Sequence, residues 1–120
     1  MQKKTVVLGA SSNPSRYSYL AVQRLRNNNH PVIAIGKRPS VVGDVTIENA
    51  VTPAKDVDTV TVYLNPINQK EYYDYILSLK PKRIIFNPGA ENEELEELAR
   101  KNNIQPMEAC TLVLLATGQY

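Results

Sequence analysis

The chain has 120 residues, 42% apolar and 22% charged, which is the size and composition of one globular domain with its own core. Fourteen Lys and Arg against twelve Asp and Glu leave a formal charge of +2, too weak for the dense basic stripe of a nucleic-acid binder, so no nucleic-acid partner is expected. The single cysteine excludes an intramolecular disulfide and argues against a Cys-based metal site, and no run approaches the roughly 18 apolar residues of a membrane-spanning helix.

Met1-Gln2-Lys3-Lys4 leads straight into an apolar strand pattern rather than a signal-peptide core, so the expected compartment is the cytoplasm. Thr5-Val6-Val7-Leu8 is a short, β-branched run of the kind found in buried parallel strands, and it stops at Gly9. Beyond the loop Ala10-Ser11-Ser12-Asn13-Pro14, Tyr17, Ala21, Val22 and Leu25 follow helical spacing until Asn27-Asn28-Asn29. Val32-Ile33-Ala34-Ile35 is a second strand, ended by Gly36. The stretch from Pro39 to Pro53 is less regular, and its Gly43 and the pieces Asp44-Val45-Thr46-Ile47 and Asn49-Ala50-Val51 suggest a loop with a short edge element.

A third strand is expected over Val57 to Leu64, stopped by Asn65-Pro66, and a helix around Tyr72, Tyr73, Ile76 and Leu77. Arg83-Ile84-Ile85-Phe86 forms the fourth strand and ends at Asn87-Pro88-Gly89. Asn92 to Lys101 has the clearest helical signature, with Leu95, Leu98 and Ala99 as its stripe, acids at its start and Arg100-Lys101 at its end. Ile104 to Met107 is a fifth strand, and Thr111 to Thr117 a closing helix. Strands alternating with helices predict an α/β, Rossmann-like three-layer domain with a five-stranded parallel sheet, a single domain over residues 1–120.

Such sheets bind ligands outside the carboxyl ends of their strands, where the strand order reverses. That rule selects Gly9 to Asn13, Gly36 to Arg38, Leu64 to Pro66, Asn87 to Gly89 and Glu108 to Thr111, although any βα loop needs turn-forming residues. The first loop lacks the second and third glycines of a dinucleotide fingerprint and offers Ser11, Ser12 and Asn13 beside a helix start instead. Backbone N–H groups there suit a phosphate, and Arg16 and Ser18 are placed to reinforce it, while helix capping by Ser and Asn is the plainer alternative. After the second strand, where an NAD-binding protein carries an acid, this chain has Lys37-Arg38. Two cations suit a ribose phosphate, either the 2′-phosphate of NADP or the 3′-phosphate of coenzyme A.

The order of elements, the Gly9-Ala10-Ser11-Ser12-Asn13-Pro14 loop, the basic pair and Val62-Tyr63-Leu64-Asn65-Pro66 together resemble the CoA-binding domain family over nearly the whole chain. That family includes the nucleotide-binding domain of the succinyl-CoA synthetase α-subunit and small bacterial proteins consisting of little else. The resemblance implies a small-molecule nucleotide ligand, coenzyme A or an acyl-CoA, with Gly9, Ala10, Ser11, Ser12 and Asn13 around its phosphates and Arg16 nearby. Within Gly36-Lys37-Arg38, Arg38 takes the aligned place of a phosphate-contacting lysine, and Lys37 replaces a proline common in stand-alone members. Leu64, Asn65 and Pro66 would lie beside the adenosine, and Cys110 near the pantetheine arm. Asn87 and Gly89 belong to the loop where the synthetases have Thr-Glu-Gly. The synthetases carry their phosphohistidine in a later domain, so ligase chemistry does not transfer.

The expectation is therefore a module that holds coenzyme A or an acyl-CoA without making or breaking bonds. An NADP-type reductase and an interaction protein with a vestigial pocket stay open, as does a homodimer. For a reductase only Tyr63 is even roughly placed as a proton donor. His30 is expected in a surface loop at the amino edge, Cys110 as a small buried hydrophobe, and the acids from Glu91 to Glu97 as a solvated helix face.

Overall fold

In the computed structural model residues 2–120 are described. In chain order they form β1 (Thr5–Leu8), α1 (Tyr17–Asn27), β2 (Val32–Ile35), β3 (Ser40–Val42), β4 (Val45–Glu48), β5 (Thr59–Val62) and α2 (Pro66–Gln69). A 3₁₀ turn (Lys70–Tyr72), α3 (Tyr73–Leu79), β6 (Arg83–Phe86), α4 (Glu93–Lys101), β7 (Gln105–Glu108) and α5 (Thr111–Ala116) follow. The sheet order is β3-β4-β2-β1-β5-β6-β7.

β1 and β5 are wholly buried, as expected of central parallel strands covered on both faces. Their side chains alternate between two cores. Val6, Leu8, Val60, Val62, Ile84 and Phe86 pack with Ile76, Leu79, Leu95 and Ala99 of α3 and α4. Val7, Ala34 and Ile85 pack with Val22 and Leu25 of α1, against which Leu114 and Leu115 of α5 lean. Each such aliphatic side chain contributes about 1.5–3 kcal/mol by leaving water, so the three layers follow from the strand period of two.

The sheet has seven strands where five were expected. Six run parallel, from β4 through β2, β1, β5 and β6 to β7, and β3 is antiparallel to β4. The two additional strands come from the irregular stretch. Val42, Val45 and Ile47 turn inward while Val41, Thr46 and Glu48 face water, and Gly43 makes the tight turn at φ +58°. Arg26 of α1 clamps that turn through a paired contact to Asp44, with Nη2 to Oδ2 at 2.8 Å. The third expected strand is shorter than its pattern, ending at Val62, and helical structure begins at Pro66 rather than near Tyr72. β7 is shifted one residue toward the carboxyl end.

At the amino edge His30 is buried, not a surface residue. Its Nδ1 accepts the Lys3 backbone N–H at 2.9 Å, and its ring lies 4.9 Å from that of Tyr120. The Tyr120 hydroxyl bonds Thr5, its carbonyl oxygen accepts from Lys3 and Arg83, and the Arg83 guanidinium lies 4.5 Å from its ring centre. Burial first, and the Lys3 charge next, push the His30 pKa below its ordinary value. No helix among the described residues is long and apolar enough to cross a membrane.

Candidate functional site

Strand order reverses at β1, which pairs with β2 on one side and with β5 on the other. The crevice at a reversal point is where open α/β sheets hold ligands. The turns after β1, β2 and β5 converge on it. Gly9 leaves β1 at φ +87°, and an added β-carbon there would stand 3.1 Å from the Tyr63 backbone and the Leu64 side chain. Gly36 leaves β2 so close to the first loop that an added β-carbon would meet the Ala10 carbonyl oxygen at 2.2 Å. Both Gly9 and Ala10 donate to the Ile35 carbonyl at 2.9 Å, which ties the two turns together.

Beyond Ala10 the loop is held by its own side chains. The Asn13 N–H donates to Ser11 Oγ at 3.0 Å, and the Ser15 N–H and hydroxyl both donate to Asn13 Oδ1. Ser12, Asn13 and Arg16 are exposed, and Ser11 is half-buried. Arg16 is the cap residue of α1, makes no side-chain cap bond, and no acid occupies the helix's first turn. The N-terminal positive end of α1 therefore faces this loop without an internal counter-charge. Lys37 and Arg38 are exposed on the adjoining turn, and none of the ion pairs among the described residues engages them or Arg16.

Not every expected site residue reaches the crevice. Ser18 is buried within α1, facing the core. Asn87 is buried as well, and its amide is fully employed. Nδ2 donates to Thr61 Oγ1 at 2.7 Å and to the Val62 carbonyl at 2.9 Å, while Oδ1 accepts the Thr111 N–H at 2.9 Å. It joins β5, β6 and the start of α5 beneath the edge. Leu64 is half-buried against the α3–α4 core, whereas Asn65 and Pro66 are exposed. Asn65 caps α2 by accepting the Asn68 N–H at 2.9 Å, with Pro66 in the first helical position. Gly89 is exposed at φ +93° and donates to Glu91 Oε1.

Cys110 is half-buried rather than shut in the core, at the residue preceding α5. Tyr63 leaves β5 toward α1 and α5, and its hydroxyl is enclosed without a hydrogen-bond partner. Burial, only partly offset by the neighbouring Thr111 and Thr61 hydroxyls, pushes its phenol far above the ordinary range. Glu96 departs from the expected solvated face of α4. It is buried, one carboxylate oxygen has no partner, and burial with the nearby Glu108 carboxylate raises its pKa.

Sequence reasoning missed Gln69, a fully buried amide that organises the far side of the edge. Its Nε2 donates to the carbonyls of Leu64 and Ala90, both at 2.8 Å, and its Oε1 accepts from Asn92.

Two surface clefts lie elsewhere. One of about 290 Å³ separates α1 from the β3–β4 hairpin. The other, about 600 Å³, opens at the amino edge among Lys4, Lys80, Lys82, Asp56 and Asp58. Its lysines are offset by acids, with Lys82 Nζ 3.8 Å from Asp58 Oδ2, and Lys4 donates to the Lys55 carbonyl. At the carboxyl edge, by contrast, no ion pair among the described residues engages Arg16, Lys37 or Arg38.

The fold is a Rossmann-like α/β domain whose strand order reverses at β1. The model of the CoA binding domain matches residues 3–116, and the chain belongs to that family. A crystal structure described only as an uncharacterized protein is 51% identical with TM-score 0.96, covering 100% of this chain and 99% of the other. A hypothetical protein from Pyrococcus horikoshii OT3 shares the fold at 22% identity and TM-score 0.83, with coverage of 93% and 80%. A Thermus thermophilus structure named cell-free ID.343 does so at 18% identity and TM-score 0.83, with coverage of 99% and 91%. No curated protein matches the chain.

Proposed function

We propose that the carboxyl edge binds coenzyme A or an acyl-CoA, in the cytoplasm, and performs no bond chemistry of its own. The observation that carries this reading is the convergence at the β1–β5 reversal point. There the Gly9–Arg16 loop, pinned against Gly36, presents a helix start beside three exposed cations, Arg16, Lys37 and Arg38. The diphosphate is assigned to the loop and helix start, and the ribose phosphate to Lys37 and Arg38. Asn65 and Pro66 border the adenosine, and Cys110 lies on the side taken by the thiol arm. Family membership favours coenzyme A over NADP for the same cations. A reductase would need an accessible proton donor, and the Tyr63 phenol is enclosed and raised in pKa.

Isothermal titration with CoA, dephospho-CoA and NADP in parallel tests the assignment. Preferential binding of CoA, weakened on removal of the 3′-phosphate, is the expected result. Binding of NADP in preference to CoA, or of none of the three, would reject it.

A further inference from the structure

The segment from Thr111 to Tyr120 is fastened at its two ends and lightly packed between them. Thr111 and Tyr120 are buried, but none of residues 112–119 is. At the carboxyl edge the Thr111 N–H donates to Asn87 Oδ1 at 2.9 Å, and the Thr111 hydroxyl lies 2.7 Å from that of Thr61. At the amino edge Tyr120 fills a socket of Thr5, His30 and Arg83. Its hydroxyl bonds Thr5, and its ring lies 4.9 Å from that of His30. Arg83 faces the same ring at 4.5 Å and donates to the Tyr120 carbonyl oxygen at 2.8 Å. Between these anchors α5 has six residues, of which Leu114 and Leu115 lean half-buried on the core beneath α1. Val113 stays 56% exposed.

A helix this short does not persist in water undocked, so α5 depends on its two anchors. Segments with so few buried side chains open locally at a lower free energy than the sheet beneath them. The closed arrangement also carries a cost. The Tyr63 hydroxyl, close to Thr111 and Cys110 at the start of the segment, is enclosed without a hydrogen-bond partner, while the Thr111 hydroxyl is engaged with Thr61. Opening returns the phenol to water and so favours release. We propose that residues 111–120 are a strap latched by Tyr120, which opens as a unit while the sheet stays folded and uncovers Tyr63 and Cys110 beside the crevice. The strap moves in this way whichever ligand the crevice takes.

Residue-resolved hydrogen exchange of the ligand-free protein at fixed pH tests this, together with the rate at which iodoacetamide alkylates Cys110. The N–H groups of Leu114, Thr117, Gln119 and Tyr120 donate to the carbonyls of Cys110, Val113 and Leu114. They are expected to exchange at least about a hundredfold faster than those of β1 and β5 in the wild type. Tyr120→Ala should speed strap exchange and Cys110 alkylation by about tenfold or more, with the sheet still the slowest part to exchange. Tyr120→Phe keeps the ring in its socket, loses only the bond to Thr5, and should speed both by less. Should Tyr120→Ala fail to fold, the wild type and Tyr120→Phe still decide. Strap and sheet exchanging alike in the wild type would overturn the strap. Unchanged strap exchange and alkylation in the folded variants would overturn the latch.

Discussion

The Ala10 carbonyl oxygen lies 2.2 Å from the place where a β-carbon on Gly36 would be, so the turns after β1 and β2 interlock at a point that admits no side chain. This contact holds the first loop against the turn after β2. It is backbone against backbone, so no rotamer change can relieve an intruding atom.

Gly36→Ala is therefore expected to lose about 1–3 kcal/mol of stability, the usual range for overpacking, because the Ala10 peptide must move. Coenzyme A affinity should fall with it. Denaturant unfolding and titration of the variant check both effects, and a variant with unchanged stability and affinity would show the loop to be freely adjustable.

Lys37→Glu combined with Arg38→Glu should weaken CoA more than dephospho-CoA, since the pair is assigned to the 3′-phosphate. Hydrogen bonds to charged groups contribute about 1.5–3 kcal/mol each, so a loss of at least tenfold for CoA is expected. Titrating both ligands into the variant reads the difference. Equal losses would remove the pair from that phosphate.

Asn87→Ala should destabilise by about 2–4 kcal/mol, because it strips the Thr111 N–H and the Val62 carbonyl of a buried partner at once. Chemical denaturation gives the value. A cost well under about 1 kcal/mol would mean that water replaces the amide and that the site's underside is softer than described.

The pH dependence of stability should carry the mark of His30. Its folded-state pKa lies below the ordinary histidine value, so the unfolded chain binds the extra proton more readily. Stability from this group is fully present above the ordinary value, near about 6.5, and is lost as pH falls through that value toward the depressed one. Protonation also converts Nδ1 from acceptor to donor against the Lys3 N–H. Thermal unfolding of wild type should show this acid-side decline, and His30→Gln should flatten it. An identical slope in the two proteins would place the titrating group elsewhere.

The central strands β1, β5 and β6 were legible because they are buried on both faces, and runs such as Val6-Val7-Leu8 and Ile84-Ile85-Phe86 need no partner to be recognised. The β3–β4 hairpin was legible only as a loop with a short edge element, because three or four residues with one buried face give too little alternation to define two strands. The same limit applied to single residues. Lys37 and Arg38 were readable as an exposed cationic turn from their position after β2. Asn87 looked like a ligand contact because an amide in a βα loop has the same sequence appearance whether it faces a ligand or a neighbouring strand. His30 and Glu96 looked like surface residues because their covers, Tyr120 and the end of β7, come from distant parts of the chain.

The most direct measurement of the central claim is the map of backbone amide shifts on adding coenzyme A to isotope-labelled protein. Shifts concentrated in residues 9–18, 36–38 and 63–68 are the predicted result. Shifts confined to the amino-edge cleft around Lys4, Asp56 and Lys82, with the Gly9–Arg16 loop unmoved, would contradict the account.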